Sequence, residues 1–217
     1  MSSELRSTDK GLELVTDEGL RLLLDFVGDR AHYQKPHRGK SEIIAKAVGL
    51  PRGLKEIWDL TCGLAEDAWF LVRLGASVTA FERHPQIAAL VHDAWSRAKA
   101  VPATAELASR FTLVQEDAIM HLRAKMTCTG PEVIYLDRMF SFEKKKSALP
   151  RKEMQIFRRV VGADTDSMEL LREALRVARD RVVVKRPLHE PPLLVGVQHR
   201  FEGSAIRYDF YNPNLFR

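Results

Sequence analysis

Residues 55–82 read KEIWDLTCGLAEDAWFLVRLGASVTAFE, and this stretch decides the fold. KEIWDL is a short apolar strand that ends at an acid and runs into the turn Thr61-Cys62-Gly63. EDAWFLVRLG has helical spacing and is closed by Gly75, and SVTAFE is a second strand ending at Glu82. A short strand, an amphipathic helix and another short strand predict a parallel pair joined by a crossover helix.

The alternation continues outward. HPQIAALVHDAWSRAKA (84–100) places Ile87, Leu90, Val91, Ala94 and Trp95 on one helical stripe, with Pro85 in the first turn. RFTLVQED (110–117) and PEVIYLD (131–137) read as strands, with the helix AIMHLRAKM between them. DSMELLREALRVA (166–178) reads as a helix, and RVVVKRP (181–187) as a strand buried on both faces. The tail, VGVQHRFEG (195–203) and AIRYDFY (205–211), reads as a hairpin turning near Gly203-Ser204. The expected fold is α/β: a doubly wound, mostly parallel sheet with an antiparallel strand pair at its C-terminal end. Residues 1–50 read as a separate helical and basic segment, with a capped helix SEIIAKAVG (41–49), and 51–217 as the main domain.

Composition narrows the class. The chain has 217 residues, 45% hydrophobic and 29% charged, with 34 Lys/Arg against 29 Asp/Glu and a net charge of +5. Two cysteines, Cys62 and Cys128, are too few for a disulfide scaffold or a cysteine zinc site. The histidines show no metal spacing, so no metal is expected. The apolar runs are shorter than the roughly 18 residues of a membrane span, and the polar N-terminus has no signal-peptide pattern. The expected setting is cytoplasmic. The positive charge is concentrated. Residues 138–152 carry Arg138, Lys144, Lys145, Lys146, Arg151 and Lys152 against Glu143, and residues 30–40 include Lys35, Arg38 and Lys40 with no acid. Clusters of this kind are the electrostatic footprint of phosphate binding, and they point to RNA.

In doubly wound sheets ligands sit beyond the carboxyl ends of the strands, where strand order reverses. Each of the first four strands has an acid there: Asp59, Glu82, Glu116-Asp117 and Asp137. The loop after the first strand carries Gly63 alone where a dinucleotide site has three glycines. A nucleoside without pyrophosphate fits better than a nicotinamide dinucleotide, and S-adenosylmethionine is the commonest such ligand in this architecture. Glu82 is placed to accept from ribose hydroxyls, Asp59 to meet the methionine ammonium and Asp117 to accept from the adenine amino group. Asp137-Arg138-Met139-Phe140 stands where amino-group methyltransferases carry an acid-Pro-Pro-aromatic turn. There a carboxylate accepts from the target amino group while an aromatic ring stacks on the base.

LDRMFSFEKKKSALPRKEMQIFRRVVGADTDS (136–167), with LDFVG, AKAVG, the D-x-T-x-G-L-x-x-D-A pattern of 59–68, FERHP (81–85) and VVVKRP (182–187), resembles the ribosomal RNA small subunit methyltransferase J family from about Leu12 onward. The resemblance implies a Rossmann-like class I methyltransferase fold and S-adenosyl-L-methionine as cofactor. It implies methylation of a guanosine N2 in small-subunit (16S) rRNA, free or in the 30S subunit. Carried over by position, it implies cofactor contacts at Glu66, Asp67, Glu82, Arg83, Asp117, Ala118 and Asp137, beside Asp59 and Gly63. Asp137 and Phe140 become the catalytic pair. Lys185 and Arg186, at the rim after their strand, join the basic clusters as RNA phosphate contacts. Where the family reads L-D-P-M, this chain has Arg138 in place of proline. A non-catalytic RNA-binding relative is therefore the alternative.

Overall fold

A computed structural model describes residues 3–28, 38–137, 156 and 166–217, with only the backbone of 38–42. The chain opens with β1 (Ser3–Thr8), β2 (Gly11–Thr16), β3 (Arg21–Leu23) and α1 (Arg38–Val48). It continues through β4 (Glu56–Asp59), α2 (Glu66–Arg73), β5 (Ser77–Phe81), α3 (Pro85–Ala100), α4 (Pro102–Ser109), β6 (Phe111–Val114), α5 (Ala118–Arg123) and β7 (Val133–Leu136). Then come α6 (Ser167–Val177), β8 (Arg181–Pro187), β9 (His199–Glu202) and β10 (Ile206–Tyr211).

Seven strands form one sheet in the order β6-β5-β4-β7-β8-β10-β9. The pairs from β6 across to β8 are parallel, and β10 runs antiparallel to both β8 and β9. The expected doubly wound sheet and C-terminal antiparallel pair are both present. Near-continuous apolar strands have this effect because each face needs a cover. One face packs against residues of α1, α2, α3 and α4, among them Ile44, Trp69, Val91 and Ala108. The other packs against α5 and α6 through Ile119, Leu122, Leu171 and Leu175. Pro102 at the start of α4 separates it from α3, a break the sequence reading did not assign.

The expectation of a helical segment over 1–50 needs correction. Residues 3–23 form an antiparallel meander, β1-β2-β3, and among the described residues of this segment the α-helix is α1. The alternation Leu12, Leu14 in β2 and Leu22 in β3 sets an apolar face, which packs on Leu64, Ile87, Leu90 and Ile156. Polar ties fix the meander to α3. Leu12 N donates to Asp93 at 3.1 Å, Gln86 Nε2 donates to the Ser3 carbonyl at 2.8 Å, and Arg97 donates to the Leu24 carbonyl.

The run after β3 brings Phe26 into the main core, stacked on Trp69 with ring centroids 4.6 Å apart and planes 12° from parallel. Phe111 meets both rings edge-on. Phe26→Ala removes a buried ring from this three-ring cluster and should cost about 3–5 kcal/mol. Urea unfolding should show one cooperative transition with a lowered midpoint. A midpoint equal to wild type would mean the Phe26 ring adds nothing to the core.

Candidate functional site

The chain crosses the large sheet from β4 outward through β5 to β6 and then returns to β7 on the other side of β4. Strand order therefore reverses between β4 and β7, and the acids named above gather at that edge. Asp59 ends β4 and is buried. Its Oδ1 accepts from Thr61 N at 3.0 Å and from Thr61 Oγ1 at 3.3 Å. Thr61 Oγ1 in turn accepts from Asp137 N at 2.6 Å. One threonine thus ties the exit of β4 to the exit of β7.

The loop then turns back beneath β5. Cys62 N donates to the Phe81 carbonyl at 3.1 Å. Gly63 (φ 53°) and Ala65 (φ 60°) both adopt left-handed backbone, and the non-glycine Ala65 costs about 1–2 kcal/mol there. Glu82 holds the loop. Its Oε2 accepts from Gly63 N at 3.0 Å and its Oε1 from His84 N at 2.7 Å. Glu82 is buried, so its carboxylate is set in place before any ligand arrives.

Pairing and strand parity build the centre of the site. Asp59 stands opposite Tyr135, Tyr135 opposite Val183, and Lys185 opposite Tyr208. Alternation puts Tyr135, Asp137, Lys185 and Tyr208 on the face covered by α2. From α2, Asp67 Oδ2 accepts from Tyr135 OH at 2.6 Å and from Lys185 Nζ at 2.7 Å. Lys185 Nζ also donates to Asp137 Oδ2 at 2.7 Å. The ammonium therefore bridges two carboxylates, and the Asp137 side chain still has 36% of its surface exposed.

Burial pushes the Asp59 carboxyl up to about 8, against the pull of the Thr61 N–H and with repulsion from Asp67 and Asp137 added. Burial likewise raises Asp137, to about 6; Lys185 opposes the rise and Asp67 reinforces it. Asp67 lies below the usual carboxylate range despite its burial, because Lys185 and the Tyr135 hydroxyl favour its charged form. Lys185 lies well above the usual lysine range: burial works against its charge, and the two carboxylates outweigh it.

Several expected roles change. Lys185 and Arg186 were expected on RNA phosphates. Lys185 instead faces inward onto Asp67 and Asp137. Arg186 is buried on the opposite face, donating to the Pro191 carbonyl at 2.6 Å and pairing with Glu190 at 3.1 Å. Asp117 Oδ1 caps α5 by accepting from Ile119 N and Met120 N, and its Oδ2 faces Arg83 at 3.4 Å. Arg83 also reaches Asp166 at 2.8 Å. Ala118 is buried and Glu66 half-buried. Burial raises the Cys62 thiol, an environment unsuited to a nucleophile. Lys35, Arg138, Phe140, Lys144, Lys145, Lys146, Arg151 and Lys152 lie outside the described residues, and of Arg38 and Lys40 only the backbone is described. Sequence reasoning missed Thr61, Tyr135 and Tyr208. For Tyr135 and Tyr208 the signal was alternation, since each is the polar member of an otherwise apolar strand face; Thr61 stands two residues after Asp59 in the turn that follows β4.

A family model described as "Putative SAM-dependent methyltransferase" matches residues 1–213. Proteins named ribosomal RNA small subunit methyltransferase J match most of the chain. That of Bdellovibrio bacteriovorus is 42% identical over 91% of this chain and 77% of its own length. That of Chromohalobacter salexigens is 41% identical over 95% and 84%. The chain belongs to the ribosomal RNA small subunit methyltransferase J family. A solved SAM-dependent methyltransferase from Neisseria gonorrhoeae is 33% identical, covers 98% of this chain and 83% of its own, and superposes with a TM-score of 0.76. The fold is that of the Rossmann-like class I methyltransferases, and the family's cofactor is S-adenosylmethionine.

The side chains present fit such a ligand. Asp67 and Asp137 share one ammonium, Asp59 has none, and Asp59 is pushed up to about 8 first by burial and then by the other two carboxylates. Such a site has room for added positive charge, and S-adenosylmethionine brings an ammonium and a sulfonium against one carboxylate. Among the described residues no cluster of His, Cys, Asp and Glu is arranged to hold a metal, and no helix is long and apolar enough to cross a membrane.

The raised Asp59 carboxyl has a stability signature. Its ordinary value is 3.8 and its folded value about 8, so between them the folded protein holds a proton that the unfolded chain has lost. That contribution is complete below the unfolded value and disappears as pH rises through the folded one. The unfolding free energy of the ligand-free protein should therefore fall across this window, and Asp59→Asn should flatten the fall. Equal slopes in both proteins, from denaturant titrations at stepped pH, would place Asp59 outside the linkage.

Proposed function

We propose that this chain transfers a methyl group from S-adenosylmethionine to the N2 amino group of a guanosine in small-subunit (16S) rRNA, free or within the 30S subunit, in the cytoplasm. One observation carries the reading. Asp137 ends β7 at the point where strand order reverses, its backbone held by Thr61 and its carboxylate by Lys185, yet part of that carboxylate remains open to a ligand. Residues 51–217 form the cofactor-binding unit in this proposal, and 1–50 a segment that adds to RNA contact.

Within it, Glu82 accepts from the ribose hydroxyls, Asp59 and the Gly63 loop receive the methionine moiety, and Asp117 and Ala118 border the adenine. Glu66 and Arg83 line the same edge. Asp67 contributes through its grip on Lys185. When bound, the cofactor would supply an electrophilic methyl group on a sulfonium, with a neutral thioether as leaving group. Asp137 accepts from one N2 hydrogen of the guanine. The amino lone pair, delocalised into the ring in the ground state, is thereby favoured to localise and to point at the methyl carbon. As the new N–C bond forms, the nitrogen sheds a proton, and the Asp137 carboxylate takes it. Phe140 stacks on the base. Lys35, Arg38, Lys40, Arg138, Lys144, Lys145, Lys146, Arg151 and Lys152 hold phosphates.

A relative that binds RNA without catalysis is the alternative raised by Arg138. Identity of 41–42% to named methyltransferases across most of the chain supports catalysis instead, as does an Asp137 carboxylate held by its neighbours.

Mass-spectrometric mapping of small-subunit rRNA from cells with and without the protein should show one N2-methylguanosine that depends on it. An identical methylation map would remove the assignment. Asp137→Ala should lower the single-turnover rate by about 10²-fold or more with RNA affinity nearly intact; wild-type turnover would exclude Asp137 as the acceptor. Neutralising Lys144, Lys145 and Lys146 together should flatten the slope of log affinity against log salt by roughly 0.7 to 0.9 for each phosphate contact removed. An unchanged slope would mean these lysines do not touch phosphate.

A further inference from the structure

The proposal above uses Asp137, but it leaves unexplained a lysine held away from solvent between two acids. Lys185 occurs in the strand RVVVKRP, where Arg181, Val182, Val183 and Val184 are buried. A charge at such a position is costly unless it is paired. Its partners come from two different elements: Asp67 from the first turn of α2, and Asp137 from the end of β7.

The contacts are short and convergent. Lys185 Nζ lies 2.7 Å from Asp67 Oδ2 and 2.7 Å from Asp137 Oδ2. Tyr135 OH fixes Asp67 from the other side at 2.6 Å. The Asp137 main chain is fixed separately by Thr61. Asp67 Oδ2 is engaged by Tyr135 and Lys185, Lys185 by the two carboxylates, and the Asp67 and Asp137 carboxyls also lie within hydrogen-bond reach of each other. The member with the most open surface is Asp137, 36% of its side chain against 21% for Lys185 and 18% for Asp67. An acceptor that must aim at an amino group needs both a fixed direction and a negative charge, and one ammonium at hydrogen-bond distance supplies both.

We infer that Lys185 is a positioning residue for methyl transfer: its ammonium, anchored by Asp67, orients the Asp137 carboxylate and keeps it ionised as the acceptor for the target amino group. This inference rests on the acceptor role proposed for Asp137. Lys185 touches neither base nor cofactor in this scheme and acts only through Asp137.

The groups facing Asp137 act in opposite senses. Lys185 from β8 favours the carboxylate, while Asp67 from α2 disfavours it. Asp59 from β4 and the Tyr135 and Tyr208 hydroxyls, from β7 and β10, complete the surroundings; Asp59 and Asp137 repel one another, and Tyr135 and Tyr208 are both raised by burial first and by Asp67 and Asp137 after it. Removing Lys185 should move Asp137 titration to higher pH. Removing the charge of Asp67 should move it to lower pH. A lysine that only fastened α2 to the sheet would give no such opposition, because either substitution would break the same tie.

The test follows the Asp137 carboxyl carbon by NMR in the ligand-free protein, selectively labelled, in wild type, Lys185→Met and Asp67→Asn. Opposite displacements of its titration in the two variants are expected, about one pH unit or more upward for Lys185→Met. Single-turnover rates against pH should follow. The acid limb of Lys185→Met moves up with it, the rate near neutral pH falls by about 10-fold or more, and part of the loss returns at alkaline pH. Cofactor affinity by calorimetry should change far less than the rate. Asp137 titration unmoved in Lys185→Met, or displaced the same way in both variants, would overturn the inference. If Lys185→Met does not fold, Asp67→Asn alone decides: a downward displacement supports the coupling and no displacement overturns it. The Asp137→Ala rate separates the two levels. Full turnover there overturns the acceptor role and with it this use of Lys185. Lost turnover with an unmoved titration in Lys185→Met overturns Lys185 alone.

Discussion

In the middle of the large sheet β4 pairs with β7 in parallel, with Asp59 opposite Tyr135, and the chain's travel across the sheet changes direction there. Two neighbouring strands whose connections leave in opposite directions have an open edge between them, since no crossover helix lies directly over the gap. Asp59, Thr61 and Asp137 occupy that edge because they are the residues at which the two strands stop. The rest of the site depends on the same pairing. With the register fixed, parity puts Tyr135, Asp137, Lys185 and Tyr208 on one face. A shift of one residue in β8 would turn Lys185 to the side of α5 and α6 and strand its charge among Leu171 and Leu175.

The electrostatics of this edge carry a stability cost. Three carboxylates crowd one ammonium, and the carboxyl with no cation at hand, Asp59, is the one displaced furthest. A stretch optimised only for folding would place an apolar side chain there, as the same strand does at Ile57. Natural sequences break local consistency of this kind where they bind or react, and the surrounding structure carries the penalty. Here the large apolar clusters on both faces of the sheet do so.

Much of the fold can be read in the residues. The alternation from Lys55 to Tyr211 follows apolar period and turn chemistry, and both are local. The strand-end acids were legible for the same reason, since the rule for where ligands bind needs only the strand ends. Two things were not legible. The meander of residues 3–23 alternates at Leu12, Leu14 and Leu22, but its strands are short, and what holds its apolar face is distant: Asp93, Gln86 and Leu90 on α3. Lys185 and Arg186 looked alike as neighbouring cations after a strand. Successive residues of a strand face opposite ways, so one meets Asp137 and the other the Pro191 carbonyl. A single lysine ending an apolar strand, with unpaired acids ending its neighbours, was the available sign. Sequence alone did not indicate that β7 and β8 lie side by side. Arg83 and Asp117 show the converse: the acid was seen, but its use in capping α5 depends on backbone geometry that spacing does not carry.

The place of β10 in the sheet bears on the order in which the protein is made. β10 follows β8 and β9 in the chain, yet it lies between them in the sheet. During synthesis β9 emerges before its strand partner, and the edge of β8 stays unpaired until residues 206–211 arrive and close both ladders at once. Tyr208, the neighbour of Lys185 across the β8–β10 ladder, joins with this strand. The surroundings of Lys185 are therefore completed only when β10, made after both of its neighbours, pairs with β8.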